Sequence, residues 1–422
     1  MPRYCLIGAG AAGIGALAVL LEQGFEVDCF EKSTVVGGHW HTDYEALHLI
    51  TSRNLTNYEG FPMPDDYPLF PSRDQMRSYL ESYAAWKGLY EHIEFGVEVL
   101  SVAPVAGEGT TGSHGWTVIT SRGDEGVYDG VLVANGHLVD PKMPEIPGHF
   151  AGTQLHSSQY TNVDDIEGRR VLVVGSGNSG CDLAVDAAQH RYDVAISVRH
   201  GHIFQPKTFM GVPRSELSFL QEFTFEEQDL LTRLLIRMSV GTHENYPGLP
   251  APEARTLAEG APVVNNLLLY WMHHGRIKPV PGVSRFEGNT VFFTDGSSQE
   301  FDTILWATGF NAALPFLDDA ILEWQDGVPL RLGGATVPVG LEKLYFVGLI
   351  APRGPQPPVY PMQTKVIAQM LRAHEAAGES GAGIQALLAG QQTPEWRIDI
   401  LRPLWTEQLE QTAYLLSRVS VA

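Results

Sequence analysis

The sequence predicts an α/β protein in which two similar parallel-sheet units lie along one chain, the second inserted within the first. Three observations support this fold class. The pattern of apolar strand, glycine-rich loop and helix occurs twice, at residues 4–17 and 171–184. Each copy continues into a second strand and later closes on a strand that ends in glycine. A chain of 422 residues with 44% hydrophobic residues can also bury more than one core.

The first copy reads YCLIGAGAAGIGAL over residues 4–17 and predicts a βαβ unit of the Rossmann type, which binds a dinucleotide. Gly8 permits the tight turn, Gly10 lets the backbone approach a pyrophosphate, and Gly13 allows close packing of the helix on the strand. Free amides at the start of the helix attract the phosphates. Glu31 follows Gly8 by 23 residues, where a carboxylate can bind the ribose hydroxyls.

The second copy reads VLVVGSGNSGCDLA and repeats the three glycines as Gly175, Gly177 and Gly180. We predict that these glycines, together with Asn178 and Ser179 at the start of the next helix, bind a second pyrophosphate. A single glycine motif is weak support for nucleotide binding, but here both copies lie between a strand and a helix.

The two copies differ at the end of the strand that follows each loop. We align Arg199 and His200 of the second copy with Glu31 and Lys32 of the first. A carboxylate suits a ribose diol and repels a 2′-phosphate, whereas an arginine pairs with that phosphate through two hydrogen bonds. The alternative is that Arg199 is a solvated surface charge. The preferred prediction is FAD in the first unit and NADPH in the second.

The order of these patterns divides the chain into three segments. The second unit closes at Thr308 and Gly309, after which the sequence LYFVGLIAP and a helix return to complete the first unit. We therefore predict an FAD-binding domain from residues 1–162 and 310–422. The NADPH-binding domain, residues 163–309, is inserted between these two segments.

Composition and charge narrow the function. There are 28 Lys and Arg residues against 49 Asp and Glu residues, so a net charge of −21 disfavours nucleic acids and anionic membrane surfaces as partners. No run of about 18 apolar residues predicts a membrane span. The N-terminal sequence lacks a signal-peptide pattern, so we expect a cytoplasmic protein. Three cysteines without a C-x-x-C pair exclude the usual dithiol relay, and the histidine spacing predicts no metal site.

Three further motifs carry a family resemblance. Residues 150–160 read FAGTQLHSSQY, which fits the pattern F-x-G-x-x-x-H-x-x-x followed by an aromatic residue; VVGGHW follows the first acidic residue, and LWATGF closes the second unit. In these motifs the chain resembles the class B flavin-dependent monooxygenases over nearly its whole length. Tyr160 stands where Baeyer–Villiger members usually carry tryptophan, so the resemblance is closest to the flavin-containing monooxygenases of the N- and S-oxygenating branch.

The resemblance implies a defined activity. NADPH reduces FAD, O2 adds to the flavin to form a C4a-hydroperoxyflavin, and one oxygen atom passes to nitrogen or sulfur of a small nucleophilic substrate. It also implies a homodimer. Two alternatives stay open: Baeyer–Villiger oxygenation of a carbonyl compound, and an NADPH-dependent flavin reductase or oxidase that inserts no oxygen.

Candidate cofactor contacts follow from the glycine loops and the resemblance together. For FAD they are Gly8, Gly10, Ala12, Gly13, Glu31, Lys32, Gly38, His39, Trp40, Val99 and Gln363. For NADPH they are Gly175, Gly177, Asn178, Ser179, Gly180, Arg199, His200, Thr308 and Gly309. His156 and Tyr160 are similar to linker residues that position the second domain, and a purely structural hydrogen bond is the alternative role.

One departure from the family pattern concerns catalysis. Flavin-containing monooxygenases typically have L-x-T-N before F-P-x-P, the asparagine contacting flavin and NADP⁺, whereas this chain reads LITSRNLTNYEGFPMP. Ser52 stands at the position of that asparagine, with Asn54 and Asn57 close by. A serine hydroxyl cannot reproduce the separate donor and acceptor ends of an amide. Ser52 and Asn54 are the predicted catalytic residues.

Overall fold

Two five-stranded sheets form the framework of the protein, and all strand pairings within them are parallel. The computed structural model describes residues 2–105, 112, 114–377 and 383–419. The first sheet has the strand order Leu344–Phe346, Gly130–Val133, Arg3–Ile7, Glu26–Glu31, Ile93–Phe95. The second has the order Thr153–His156, Thr303–Trp306, Arg170–Val174, Asp193–Ser197, Ile277–Val280. The predicted pair of Rossmann-like units is thereby confirmed.

Helices and shorter strands complete both units. Within the described residues the helices are α1 (Ala11–Glu22), α2 (Arg73–Trp86), α3 (Asn178–Gln189), α4 (Phe225–Val240), α5 (Leu267–His273), α6 (Val359–Ala377), α7 (Ile384–Ala389) and α8 (Arg402–Val419). One three-stranded antiparallel sheet consists of Val99–Pro104, Trp116–Thr120 and Glu125–Tyr128. A four-stranded sheet consists of Ser298–Glu300, Thr290–Phe293, Val283–Gly288 and Gly148–Phe150. The other short strands are Asp140–Pro141, Thr208–Phe209, Val212–Pro213, Phe310–Asn311, Trp324–Gln325, Val328–Pro329, Arg331–Leu332, Val337–Pro338, Ala351–Pro352 and Asp399–Ile400.

The C-terminal part of the chain returns to the first sheet, as predicted. Strand Leu344–Phe346 pairs with Gly130–Val133, and buried residues of α6 pack with those of α1 in one hydrophobic cluster. Because the central strands of both sheets are covered on both faces, Arg3–Ile7 and Arg170–Val174 continue after their first residue as apolar runs rather than alternating. No helix among the described residues is long and apolar enough to cross a membrane.

Strand pairing bears on where the inserted unit begins. Thr153–His156 pairs with Thr303–Trp306, and Gly148–Phe150 pairs with Val283–Gly288. Both strands precede the predicted boundary at residue 163 yet lie in sheets of the second unit. The three-segment division stays a prediction, and these pairings favour an earlier start for the second unit. Residues 378–382 and 420–422, which belong to the predicted FAD-binding segment 310–422, lie outside the described residues.

The chain passes between the units twice, and the two crossings pair with each other. Asp140–Pro141 pairs antiparallel with Phe310–Asn311. The Lys142 amide donates to the Gly309 carbonyl at 2.9 Å, which extends the pairing by one bond. A two-stranded ribbon therefore joins the units.

Candidate functional site

The first glycine loop has the geometry that a pyrophosphate cradle requires. Gly8 has φ +97°, and a Cβ there would lie 2.8 Å from the Ala134 carbonyl oxygen. A Cβ on Gly13 would lie only 1.9 Å from the Gly8 carbonyl oxygen, so only glycine allows α1 to pack this closely on the loop. Helix α1 starts after Gly10 without a side-chain cap, which leaves its first amides free for an anion.

A second segment of the first unit covers this loop. The Gly37 amide donates to the Ala9 carbonyl at 3.0 Å, and a Cβ on Gly38 would lie 3.2 Å from the Cα of Gly10. His39 Nδ1 lies 2.5 Å from an Asp43 carboxylate oxygen. The Trp40 ring packs against the first hydrophobic core. The structure thus brings the predicted Gly38 against the glycine loop, with His39 and Trp40 in the turn that follows it.

The Glu31 carboxylate lies directly beneath the same loop. It is 6% exposed and accepts hydrogen bonds from the Ala9 amide at 2.7 Å and the Ser33 amide at 2.8 Å. It is therefore positioned by the backbone rather than by a counter-ion. Lys32, the next residue, is exposed, and Val99 is buried in a neighbouring hydrophobic cluster.

Ala12 and Gln363 both lie next to Gly348. A Cβ on Gly348 would lie 2.8 Å from the Cβ of Ala12, and the Gly348 amide donates to Gln363 Oε1 at 3.0 Å. Gln363 is fully buried, yet its Nε2 has no hydrogen-bond partner among the described residues. An enclosed amide donor without an acceptor is rare, so this one is available to a bound group.

Ser52 and Asn54 occupy different environments. Ser52 is 0% exposed, and its hydroxyl also lacks a partner within the described part of the chain. Its carbonyl accepts from the Thr56 hydroxyl at 2.8 Å, which fixes the turn. Asn54 is exposed, and its amide donates to the Glu216 carboxylate at 3.1 Å. The structure does not bring the two predicted catalytic side chains together.

These features fit the predicted FAD. The glycine loop supplies free amides, and the buried Ser52 hydroxyl and Gln363 amide each lack a partner. Burying a polar group without a hydrogen bond costs on the order of 1–3 kcal/mol, which a polar cofactor ring could recover. All three cysteines are buried and unpaired. Among the described residues no three His, Cys, Asp or Glu side chains are grouped to hold a metal.

The second glycine loop repeats the first. Gly175 has φ +108°, and a Cβ there would lie 2.3 Å from the Ala307 carbonyl oxygen. A Cβ on Gly180 would lie 2.0 Å from the Gly175 carbonyl oxygen, whereas Gly177 faces open space. Helix α3 begins at Asn178, whose Oδ1 accepts from the Val264 amide at 2.8 Å. Ser179 follows and lies beside the Tyr44 hydroxyl.

Strand register corrects the predicted alignment of Arg199. Ile7 pairs with Phe30 in the first sheet, and Val174 pairs with Ser197 in the second. Val198 therefore holds the position of Glu31, and Arg199 and His200 correspond to Lys32 and Ser33. Val198 is buried and apolar, so the second unit has no carboxylate at the position where Glu31 binds the loop of the first unit.

The side chains after Val198 differ in their contacts. Arg199 is exposed and makes no hydrogen bond or ion pair with the described residues. His200 pairs through Nδ1 with the Glu253 carboxylate. An unpaired arginine at the end of this strand remains free to bind a 2′-phosphate.

His156 joins the end of the second sheet to the crossing ribbon. Its Nε2 lies 3.1 Å from the Gly309 carbonyl oxygen, while Nδ1 lies 2.9 Å from the Ser158 hydroxyl and accepts from the Ser158 amide. These partners require a proton on Nε2 and a free lone pair on Nδ1, which is the neutral ring. Burial lowers the pKa of His156, in agreement with that state. Its contacts are structural.

The neighbouring linker residues are also tied into the fold. The Thr308 hydroxyl donates to the Lys142 carbonyl at 2.5 Å. Tyr160 is fully buried, and its hydroxyl donates to the Asp186 carboxylate at 2.7 Å. Both contacts hold segments of the second unit, so they support the structural alternative for this motif.

Sequence reasoning missed a polar cluster between the two units. The Asp182 carboxylate on α3 accepts from the Tyr44 hydroxyl at 3.0 Å and from the Asn265 amide at 2.8 Å. Burial raises the pKa of Asp182 to about 6. Lys207 lies near this carboxylate, and burial lowers the pKa of its ammonium group. Since these residues come from distant parts of the chain, no local motif indicates the cluster.

A cavity of about 380 Å³ lies in the second unit, away from both glycine loops. Residues of α4 and the segment after it form much of its wall, including Arg233, Ile236 and Tyr246. None of the predicted site residues lines it.

Two parallel-sheet units, each with a pyrophosphate cradle, define a protein that binds two dinucleotides. Residues 2–385 match the family model described as flavin-binding monooxygenase-like. The chain belongs to this family. It is 32% identical over 397 residues to flavin-containing monooxygenase 3 of Homo sapiens, covering 88% of this chain and 74% of that protein. It is 31% identical over 398 residues to dimethylaniline monooxygenase [N-oxide-forming] 2 of Macaca mulatta, covering 88% and 73%.

Solved structures share the fold. A flavin-containing monooxygenase from Stenotrophomonas maltophilia has a TM-score of 0.67 and 20% identity, covering 88% of this chain and 99% of that one. An open structure of cyclohexanone monooxygenase has a TM-score of 0.71 and 17% identity, covering 100% and 98%. The protein is a flavin-dependent monooxygenase, an oxidoreductase with FAD and NADPH as cofactors, as the sequence predicted.

Proposed function

We propose that the protein transfers one oxygen atom of O2 to the nitrogen or sulfur of a small nucleophilic substrate, with NADPH as the electron donor. The observation that carries the proposal is the buried Ser52 hydroxyl without a partner, in the turn that the family pattern places at the flavin. The choice of nitrogen or sulfur is supported by Tyr160 in the linker motif and by the N-oxide-forming relative.

In the first unit, the residues divide the work of holding FAD. The amides after Gly10 would bind the pyrophosphate, and the Glu31 carboxylate would accept from the ribose hydroxyls. The free Nε2 of Gln363 would donate to the ring system. When bound, FAD supplies the electron transfer and oxygen activation that no protein side chain provides.

In the second unit, a corresponding set of residues would hold NADPH. The amides after Gly177 would bind its pyrophosphate, and Arg199 would pair with the 2′-phosphate. His200 lies beside that position but is already paired with Glu253. Thr308 and Gly309 would act through the crossing ribbon, since the Thr308 hydroxyl is engaged by Lys142.

Ser52 would serve as the hydrogen-bonding group at the reacting end of the flavin. Its full burial excludes water from that position, which favours oxygen transfer over loss of peroxide. Asn54 would reach the same groups only after its contacts with Glu216 broke. Of the two predicted catalytic residues, Ser52 is therefore the one we propose to act directly.

Isotope labelling tests the proposal. The FAD-loaded enzyme is supplied with NADPH, labelled O2 and a panel of tertiary amines, thioethers and cyclic ketones. We expect one labelled oxygen atom in an N-oxide or S-oxide. Label in an ester or lactone would instead establish Baeyer–Villiger oxygenation. Oxidation of NADPH without label in any product would overturn the proposal in favour of a reductase or oxidase.

Assembly and location remain part of the prediction. We propose a homodimer, on the basis of the family resemblance, and a cytoplasmic location. Light scattering of the purified protein and fractionation of its native cells are the corresponding measurements.

A further inference from the structure

A β-hairpin of the second unit places two basic residues side by side. Strands Thr208–Phe209 and Val212–Pro213 pair antiparallel, and the Arg214 amide donates to the Lys207 carbonyl at 3.0 Å. Lys207 and Arg214 are therefore opposite each other in the ladder. Since opposed residues of an antiparallel pair project from the same face, the Cβ atoms of Lys207 and Arg214 lie on one face of the hairpin.

The hairpin is fixed in the second unit and reaches the first. Phe209 and Leu217 are buried in a cluster with Ile236 of α4. The Lys207 ammonium lies 5.4 Å from the centroid of the Phe70 ring, in the segment that follows the Ser52 turn. The contact between Glu216 and Asn54 joins the two units at the same place.

Both side chains are partly buried, and neither forms an ion pair within the described part of the chain. The Nε of Arg214 is enclosed and has no hydrogen-bond partner, and neither side chain makes a hydrogen bond or ion pair with the described residues. Burial lowers the pKa of Arg214 to about 10 and also lowers that of Lys207. The Asp182 carboxylate attracts the Lys207 ammonium without a hydrogen bond to it, and accepts hydrogen bonds from Tyr44 and Asn265.

Another buried arginine shows what a structural role looks like in this fold. Arg331 is 0% exposed, and its guanidinium donates to the carbonyl oxygens of Pro329, Leu349 and Arg397. Its charge is spread over three acceptors. Arg214 is only partly buried, yet its enclosed Nε has no acceptor among the described residues, and leaving a buried donor unpaired is unfavourable. The difference indicates that an acceptor for Arg214 comes from outside the chain.

We propose that Lys207 and Arg214 form a subsite for the anionic group of a ligand bound between the two units, a carboxylate or phosphate. This inference rests on the proposed function, because its ligand is the substrate whose carboxylate would orient the oxidised atom toward the Ser52 turn. Arginine binds such groups through two parallel hydrogen bonds, and lysine adds a point charge. NADPH is the second source of such a group, although its phosphates already have assigned partners in Arg199 and the second glycine loop.

Equilibrium binding tests the subsite without any turnover. The FAD-loaded protein is heated with benzoate, inorganic phosphate or NADP⁺, and the rise in Tm reports binding to the folded state. The variants are Lys207→Met and Arg214→Gln, with Lys278→Met as a control that removes an exposed charge from the same unit. We expect benzoate and phosphate to raise the Tm of the parent and the control, and at least tenfold weaker binding in both hairpin variants.

A substrate pair separates the two sources of the anion. Methyl phenyl sulfide and 4-(methylthio)benzoate differ only in a carboxylate. We expect kcat/KM for the carboxylated sulfide to fall at least tenfold in the hairpin variants, with the neutral sulfide and NADP⁺ affinity unchanged. A fall in NADP⁺ affinity without a change between the sulfides would assign the anion to the cofactor.

The outcomes are decisive even if one variant folds poorly. Flavin content and circular dichroism identify a misfolded Arg214→Gln, in which case Lys207→Met and the conservative Arg214→Lys carry the comparison. Anion binding that is absent in the parent, or equal in the hairpin and control variants, would overturn the subsite. Because the Tm measurement requires no oxygenation, its result stands apart from any failure of the proposed activity.

Discussion

The two glycine loops share a backbone but differ in what surrounds them. Gly10 and Gly177 precede their helices with nearly the same φ and ψ, −68° and −175° against −71° and −176°. A Cβ on Gly10 would lie 3.8 Å from Gly38 Cα, whereas a Cβ on Gly177 would meet nothing within 4 Å. The first loop is covered and the second is open. This contrast suits a dinucleotide that stays bound in the first unit and one that exchanges in the second.

The strands that follow the two loops differ in the charge of the side chain at their ends. Glu31 places a carboxylate under the first loop, where the second unit has the apolar Val198. Without that negative charge, Arg199 can attract the 2′-phosphate, which distinguishes NADPH from NADH. The common backbone thus binds a pyrophosphate in either unit, and the neighbouring side chains decide which dinucleotide it belongs to.

The largest expected effect comes from replacing the third glycine of each loop, because the two replacements should impair the binding of different cofactors. Gly13→Ala would place a Cβ 1.9 Å from the Gly8 carbonyl oxygen, so we expect purified protein without bound FAD. Gly180→Ala makes the equivalent clash at 2.0 Å but should retain FAD. Its reduction by NADPH should slow about 100-fold, equivalent to roughly 2.8 kcal/mol of lost binding. Absorbance spectra and anaerobic stopped-flow measurements check both expectations; a flavin-loaded Gly13→Ala would contradict the assignment of the loops.

Arg199→Gln sharpens the comparison at the ribose end. Removing a charge-assisted hydrogen bond costs about 1.5–3 kcal/mol, so kcat/KM for NADPH should fall by about 10- to 100-fold. The value for NADH, which lacks the 2′-phosphate, should stay unchanged. Arg285→Gln, which changes an exposed arginine elsewhere in the second unit, is the matched control. Equal losses with both coenzymes would mean that Arg199 is a surface charge.

A smaller effect is expected from a change at Ser52, whose hydroxyl is buried in the first unit. Ser52→Ala removes the buried hydroxyl, and we expect the oxygen-reactive state of the reduced enzyme to decay about tenfold faster, as loss of one hydrogen bond implies. Stopped-flow absorbance after mixing with O2 measures that lifetime. Asn54→Ala is the control, because its exposed amide should leave the lifetime unchanged. An unchanged lifetime for Ser52→Ala would remove Ser52 from the reacting groups.

The smallest effect concerns the join between the units. Burial lowers the pKa of His156 below its ordinary value of 6.5, so the unfolded chain takes up a proton first as the pH falls. The contribution of His156 to stability is therefore full above about pH 6.5 and decreases below it. We expect the Tm of the parent to fall more steeply than that of His156→Gln between pH 7 and pH 5. Parallel curves would show that His156 does not titrate differently in the folded protein.

The sequence predicted the parts of the site that depend on local backbone. Both glycine loops could be recognised because positive φ and close carbonyl contacts restrict those positions to glycine. The register of Arg199 could also have been found by counting, since Glu31 lies 23 residues after Gly8 and Val198 lies 23 after Gly175 (31 − 8 and 198 − 175). The ends of the strands alone predict an alignment of Arg199 with Glu31, which is shifted by one residue from the observed register.

Contacts between distant segments could not be predicted in this way. The pairing of Thr153–His156 with Thr303–Trp306 joins strands about 150 residues apart, and neither strand carries a signal for its partner. The hairpin with Lys207 and Arg214 becomes informative only when burial and missing partners are known. Likewise, the sequence offers both Ser52 and Asn54, and only their opposite exposure separates them.

The paired crossings have a mechanical consequence. A single tether lets two bodies rotate about several axes, but Asp140–Pro141 and Phe310–Asn311 are hydrogen-bonded side by side. Twisting one unit against the other would break this pairing, whereas bending across the ribbon would preserve it. The joint therefore resists twisting of one unit against the other more than it resists bending across the ribbon.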